Sequence, residues 1–123
     1  MQPAPPMKIH LFDKDQQTEA VSAGTAVFRD GDRGDHMFAV LDGAVDLIVS
    51  GKTVETVETG GVFGEMALVD DRPRTASAIV KSDARLVRID RKRFLFLVQQ
   101  NPFFALQLMT IMAERLRRMD ERL

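Results

Sequence analysis

The chain has 123 residues, 45% of them apolar and 28% charged, with 17 Lys and Arg against 18 Asp and Glu. That length fits one domain able to bury a core without staples, and the near-zero charge balance gives no global pull toward nucleic acid or membrane. With no cysteine, disulfides, thiol catalysis and thiolate zinc sites are excluded, and no apolar run reaches the roughly 18 residues of a spanning helix.

In chain order, Met1 to Pro6 lacks the basic and apolar regions of a secretory signal, so a cytoplasmic address is expected. Its three prolines predict a disordered tail at 1–7, ahead of one domain at 8–123. Closely spaced glycines then punctuate short strand-like runs: Thr18 to Ser22, Ala26 to Arg29, His36 to Leu41, Ala44 to Ser50, Thr53 to Glu58, Ser77 to Lys81 and Arg85 to Asp90. Asp42-Gly43 reads as a hairpin turn, and Ser50-Gly51-Lys52 as the next. The fold class this predicts is mainly β, an antiparallel roll or barrel of about eight strands, closed by C-terminal α-helices. Asp90 caps a helix from Arg91 to about Gln99, ended by Asn101-Pro102; Pro102 opens a second helix that runs to Leu123. On it Met109, Met112, Leu116, Met119 and Leu123 are spaced 3, 4, 3, 4. That seam suits packing on the roll, pairing with a second copy across 102–123, or both.

The segment richest in chemistry is Phe63-Gly64-Glu65-Met66-Ala67-Leu68, a short loop, then Pro73-Arg74-Thr75-Ala76. Gly64 lets a ligand approach the backbone. Glu65 offers two acceptors suited to sugar hydroxyls. Met66, Ala67 and Leu68 can form one helical turn whose free N–H groups favour an anion. Arg74 presents a permanently charged fork for phosphate oxygens, with the Thr75 hydroxyl beside it. Together these describe a sugar-phosphate site; a plain Glu65–Arg74 structural bridge is the competing interpretation.

This stretch resembles the phosphate-binding cassette of the cyclic-nucleotide-binding domain family, which includes catabolite activators, protein kinase regulatory subunits and cyclic-nucleotide-gated channels. Upstream, Ala23-Gly24-Thr25, Phe28, Asp30-Gly31-Asp32, Gly34-Asp35, Met37-Phe38 and Leu41-Asp42-Gly43 sit where that family keeps its turns. The resemblance implies a double-stranded β-helix, jelly-roll-like, and a binding segment of Phe63 to Leu68 with Arg74, Thr75 and Ala76. It implies Glu65 on the ribose 2′-OH, backbone N–H groups of Gly64 and Ala67 on sugar and phosphate, and Arg74 on the cyclic phosphate with Thr75 in support. Arg115, on the last helix, is placed to approach Glu65 or the purine. Thr75 is compatible with both purines, and cAMP is favoured over cGMP. Catabolite activators carry a Thr-Ser pair for adenine where this chain has Met119 and Asp120, a departure from that pattern.

Other signals reduce to structure. Arg33-Gly34-Asp35 is expected as a turn rather than an adhesion motif, and Asp30, Asp32 and Asp35 as a turn rather than a calcium loop. His10 and His36 form no triad or transition-metal set. Arg88, Arg91, Lys92 and Arg93 read as a solvated helix start, and Phe94, Phe96, Phe103 and Phe104 as core. No helix-turn-helix segment is present, so no nucleic-acid contact is expected. The expected function is non-catalytic sensing of a cyclic nucleotide, with no cofactor or metal beyond that ligand. A nucleotide-free dimerisation or protein-interaction module on the same fold is the alternative; a phosphodiesterase would need a metal cluster or acid–base pair.

Overall fold

The structure, a computed structural model, describes residues 7–121, with side chains through Arg118. In chain order the elements are β1 (Glu19–Val21), β2 (Ala26–Phe28), β3 (His36–Val49), β4 (Lys52–Glu58), β5 (Val62–Phe63), α1 (Met66–Val69), β6 (Ser77–Asp90), α2 (Arg91–Gln100) and α3 (Pro102–Glu121). Every pairing is antiparallel. The path β1–β6–β3–β4 forms the sheet, with β2 also on β6 and β5 on β3.

Six strands therefore replace the eight expected. Two pairs of anticipated strands fuse into β3 and β6, each 14 residues long. Asp42-Gly43 makes no hairpin. It forms an irregularity inside β3, where the register against β6 shifts between Val40, Asp42, Ala44 and Val45. Gly43 has φ +85, and a Cβ there would lie 2.3 Å from the Asp83 carbonyl oxygen. The glycine thus lets two long strands cross closely as they bend, which is the work of a bulge. Ser50-Gly51 does turn the chain: both residues have positive φ and sit between the Val49–Lys52 pair, the two-residue geometry whose twist matches its strands.

Strand alternation builds the core. Met37 and Ala39 face one cluster, with Val62, Val87, Ile89, Phe104, Leu108 and Ile111. Their neighbours Phe38 and Val40 face the other, with Val45, Val57, Phe63, Val80 and Leu86. A period of two on a strand covered on both sides leaves no solvent face, so His36 to Leu41 reads as a nearly continuous apolar run. The helices cover the first cluster, and the roll encloses the second.

The N-terminal segment belongs to the helical side. Ile9 and Phe12 are buried, and the Phe12 ring meets Phe104 edge-on at 5.9 Å between centroids. Met7, placed by sequence in the tail, packs partly buried against this cluster; the rest of that expected tail lies outside the described residues. The α2 start follows expectation, since the Asp90 carboxylate accepts from the Arg93 N–H at 2.8 Å. The four phenylalanines divide. Phe104 is buried and Phe94 packs against the core, while Phe96 and Phe103 are exposed. Positions 103 and 104 lie 100° apart on α3, and the buried stripe runs through Phe104, Leu108 and Ile111, which leaves Phe103 facing outward.

The basic cluster is not merely solvated. Arg88 pairs with Glu19 at 2.8 Å, Arg91 donates to the Leu68 carbonyl at 2.9 Å, and Arg93 pairs with Asp15. Among the described residues no single helix is long and apolar enough to cross a membrane, and no metal-binding group of His, Cys, Asp or Glu occurs.

Candidate functional site

Strand β5 leads into Gly64, Glu65 and the single turn of α1. The loop after α1 returns the chain through Pro73 to Arg74. One cavity of about 490 Å³ opens there, between this segment, β4 and α3. Gly64, Glu65, Met66, Ala67, Arg74, Thr75, Ala76 and Arg115 all line it. Phe63 and Leu68 do not. Phe63 is fully buried, stacked on Phe38 at 5.2 Å, and Leu68 packs into the helical-side core. Their side chains pack into the two cores and hold the segment from behind.

Arg74 is only 8% exposed. Its Nη1 donates to the Gly64 carbonyl at 2.7 Å and its Nη2 to the His36 carbonyl at 2.6 Å. The guanidinium lies 4.0 Å over the Phe28 ring, an attractive cation–π stack. Nε is buried without a partner among the described residues, and each Nη carries a second N–H beyond the one already used. Burial lowers the Arg74 pKa, opposed by the charges of Glu65, Asp35 and Asp32; an arginine stays protonated regardless.

The loop predicted as a turn anchors this residue. Arg74 N–H donates to the Asp32 carbonyl and Gly31 N–H to the Arg74 carbonyl, both at 2.8 Å. Gly34 leaves the space the guanidinium fills, for a Cβ there would sit 2.3 Å from Nε. Gly64 has φ +78, and its Cβ would lie 2.9 Å from Arg74 Nη1. Two glycines and a phenylalanine thus shape the cation's seat.

Glu65 is 2% exposed. It does not bridge to Arg74, so the plain structural bridge between them is not formed. Its carboxylate accepts instead from Arg115 Nη1 at 2.6 Å. Arg115 also forks onto Glu55 at 3.0 and 2.9 Å and donates to the Val62 carbonyl at 2.6 Å. Arg118 adds a bond to Glu55 at 3.0 Å. Burial would lower the Arg115 pKa, but the Glu55 hydrogen bonds and the charges of Glu65 and Glu55 raise it. The guanidinium stays charged, as an arginine does in a protein.

Sequence reasoning did not find Glu55, Arg118, Met112, Leu116 or the aliphatic wall of Leu47, Val49 and Val54. A Glu in a strand and an Arg off a helix seam carry no local signal; only the docking of α3 beside β4 brings them together. Met119 and Asp120 lie where side chains are not described.

The chain belongs to the cyclic nucleotide-binding domain family, whose pattern it matches over residues 18–101. It is 34% identical to the cyclic AMP receptor protein of Thermus thermophilus over 102 residues, covering 79% of this chain and 47% of that protein. The crystal structure of the Thermus thermophilus catabolite activator protein superposes with a TM-score of 0.78 at 32% identity, over 86% of this chain and 52% of that one. A structure from work on a cyclic-GMP-dependent signalling pathway in bacterial phytopathogenesis superposes at 0.66 and 29% identity, over 92% of this chain and 89% of the other. The chain spans less than half the length of that receptor. It is thus a cyclic nucleotide-binding regulatory domain on the family's β-roll.

Proposed function

We propose that the cavity binds a 3′,5′-cyclic nucleotide, cAMP in preference to cGMP, with the cyclic phosphate on Arg74 and the ribose 2′-OH on Glu65. The observation that carries this reading is convergence: a buried guanidinium and a buried carboxylate, not paired with each other, border one cavity. Gly64, Ala67 and Thr75 line the same space; in this reading the backbone N–H groups of the first two meet sugar and phosphate, and Thr75 supports Arg74. Free N–H groups on Arg74 suit an anionic oxygen, and charge-assisted hydrogen bonds of this kind contribute about 1.5–3 kcal/mol each. The receptor named for cyclic AMP supports the adenine preference; the relative from a cyclic-GMP pathway keeps cGMP as the competitor to be measured.

Arg115 plays a positioning part. A ribose hydroxyl reaching Glu65 meets a carboxylate already held by Arg115, so sugar binding and the seating of α3 share one acceptor. The domain acts by binding rather than catalysis, and α3 carries the response. Only a difference in affinity between two α3 positions could make it do so.

A homodimer through 102–123 fits the exposed stripe Phe103, Leu106 and Met109. This stripe replaces much of the predicted seam, because Met112 and Leu116 line the cavity. The nucleotide-free interaction module is not favoured, since the cassette and its cavity are intact.

Calorimetric titration of wild type and Arg74→Ala tests the proposal. Loss of Arg74 should weaken cAMP binding by about 2–5 kcal/mol, on the order of 30-fold or more. Equal affinities for the two proteins would remove the phosphate role.

A further inference from the structure

Resting on the cyclic-nucleotide reading, we propose that Glu55 selects the base, its carboxylate accepting from an amino group at purine C6 and rejecting a 6-oxo group. With phosphate at Arg74 and ribose at Glu65, the base takes the rest of the cavity. There Leu47, Val49 and Val54 from the sheet face Met112 and Leu116 from α3. Such walls give contact area but cannot tell one purine from another.

The polar side chains that β4 and α3 add to this cavity are Glu55, Arg115 and Arg118. Arg115 is spent on Glu65, Glu55 and the Val62 carbonyl. Arg118 donates to Glu55. Glu55, its side chain 19% exposed, is clamped by both arginines. The two arginines fix its direction, and a carboxylate only accepts.

The purines differ in what they show to such a group. Adenine carries an N6 amino donor, whereas guanine and hypoxanthine carry an O6 acceptor; all three share N7. An amino group meets Glu55 with a hydrogen bond. An O6 meets it acceptor to acceptor, and turning Arg118 onto O6 would take that arginine from Glu55. Arg118 can still donate to N7, which does not discriminate.

Titration of the full chain with cAMP, cIMP and cGMP tests this, because cIMP keeps the purine frame and sugar-phosphate of cAMP and replaces the amino group by a 6-oxo group. Wild type should bind cAMP about ten-fold more tightly than cIMP, the discrimination of one good hydrogen bond. Glu55→Gln, whose amide can donate to O6, should narrow that gap to about three-fold or less. Equal affinity of wild type for cAMP and cIMP overturns the proposal without any variant, so a Glu55→Gln chain that fails to fold does not shield it. An unchanged preference in folded Glu55→Gln overturns it equally. Binding of none of the three by wild type sinks the cyclic-nucleotide reading and this one with it, an outcome distinct from binding without preference.

Discussion

The seat of Arg74 is set by what its neighbours lack. Gly34 and Gly64 each stand where a Cβ would press on the guanidinium, while Phe28 covers its face. Gly34→Ala should therefore displace the cation and weaken cyclic-nucleotide affinity with little effect on the roll, as the Gly34 backbone needs no positive φ. Gly64→Ala adds strain at φ +78 and should lower both affinity and melting temperature. Titration and thermal unfolding of the two variants separate these effects. A second residue-scale prediction concerns acid. Burial would raise the Asp15 carboxyl, but the Arg93 side chain, the Gln17 N–H and the Arg93 charge hold it below the ordinary carboxylate range. The stability this gives is complete above the unfolded pKa and is lost as pH falls through the lower folded value. Asp15→Asn should thus reduce stability at neutral pH and flatten the acid limb of the stability profile, read by urea unfolding from pH 7 to pH 3.

Between elements, coupling runs through a few side chains. Arg91 of α2 donates to the Leu68 carbonyl in α1, which ties the cassette turn to the helical layer. Arg115 joins α3 to Glu65 in the cassette and to Glu55 on β4. Arg115→Ala would leave Glu65, 2% exposed, without its cation. Removing one partner from a buried pair costs roughly 3–5 kcal/mol, felt first at the docking of α3. Amide exchange should accelerate along α3 in this variant while β3 and β6 stay protected. Uniform acceleration through the whole chain would show instead that the network holds the entire domain.

At the scale of the molecule, ligand and partner act by mass action. A nucleotide that binds only the folded chain at a hundred times its dissociation constant should stabilise it by about 2.7 kcal/mol. A melting temperature indifferent to saturating cAMP and cGMP would count against the nucleotide site. The exposed stripe of Phe103, Leu106 and Met109 predicts concentration-dependent association. Charges at its centre, as in Leu106→Glu with Met109→Glu, should yield a monomer by sedimentation while sparing the cavity, which neither residue lines. Wild type that sediments as a monomer at high concentration would retire the dimer.

Local chemistry determined much of this by itself. The cassette residues, the Asp90 cap, the Ser50-Gly51 turn and the apolar alternation are signals within a few positions of each other, where backbone geometry and side-chain period act directly. The cassette's acid and cation could be picked from sequence for that reason. Tertiary structure decided the rest. Asp42-Gly43 carries the letters of a hairpin, and only the close crossing of β3 against β6 makes it a bulge. Phe63 and Leu68 belong to the motif, yet packing on both faces of the sheet turns them into the core. Glu55 and Arg118 lie 63 positions apart and meet because α3 docks beside β4. Contacts closed over such separations depend on how layers pack, and no periodicity along the chain encodes them.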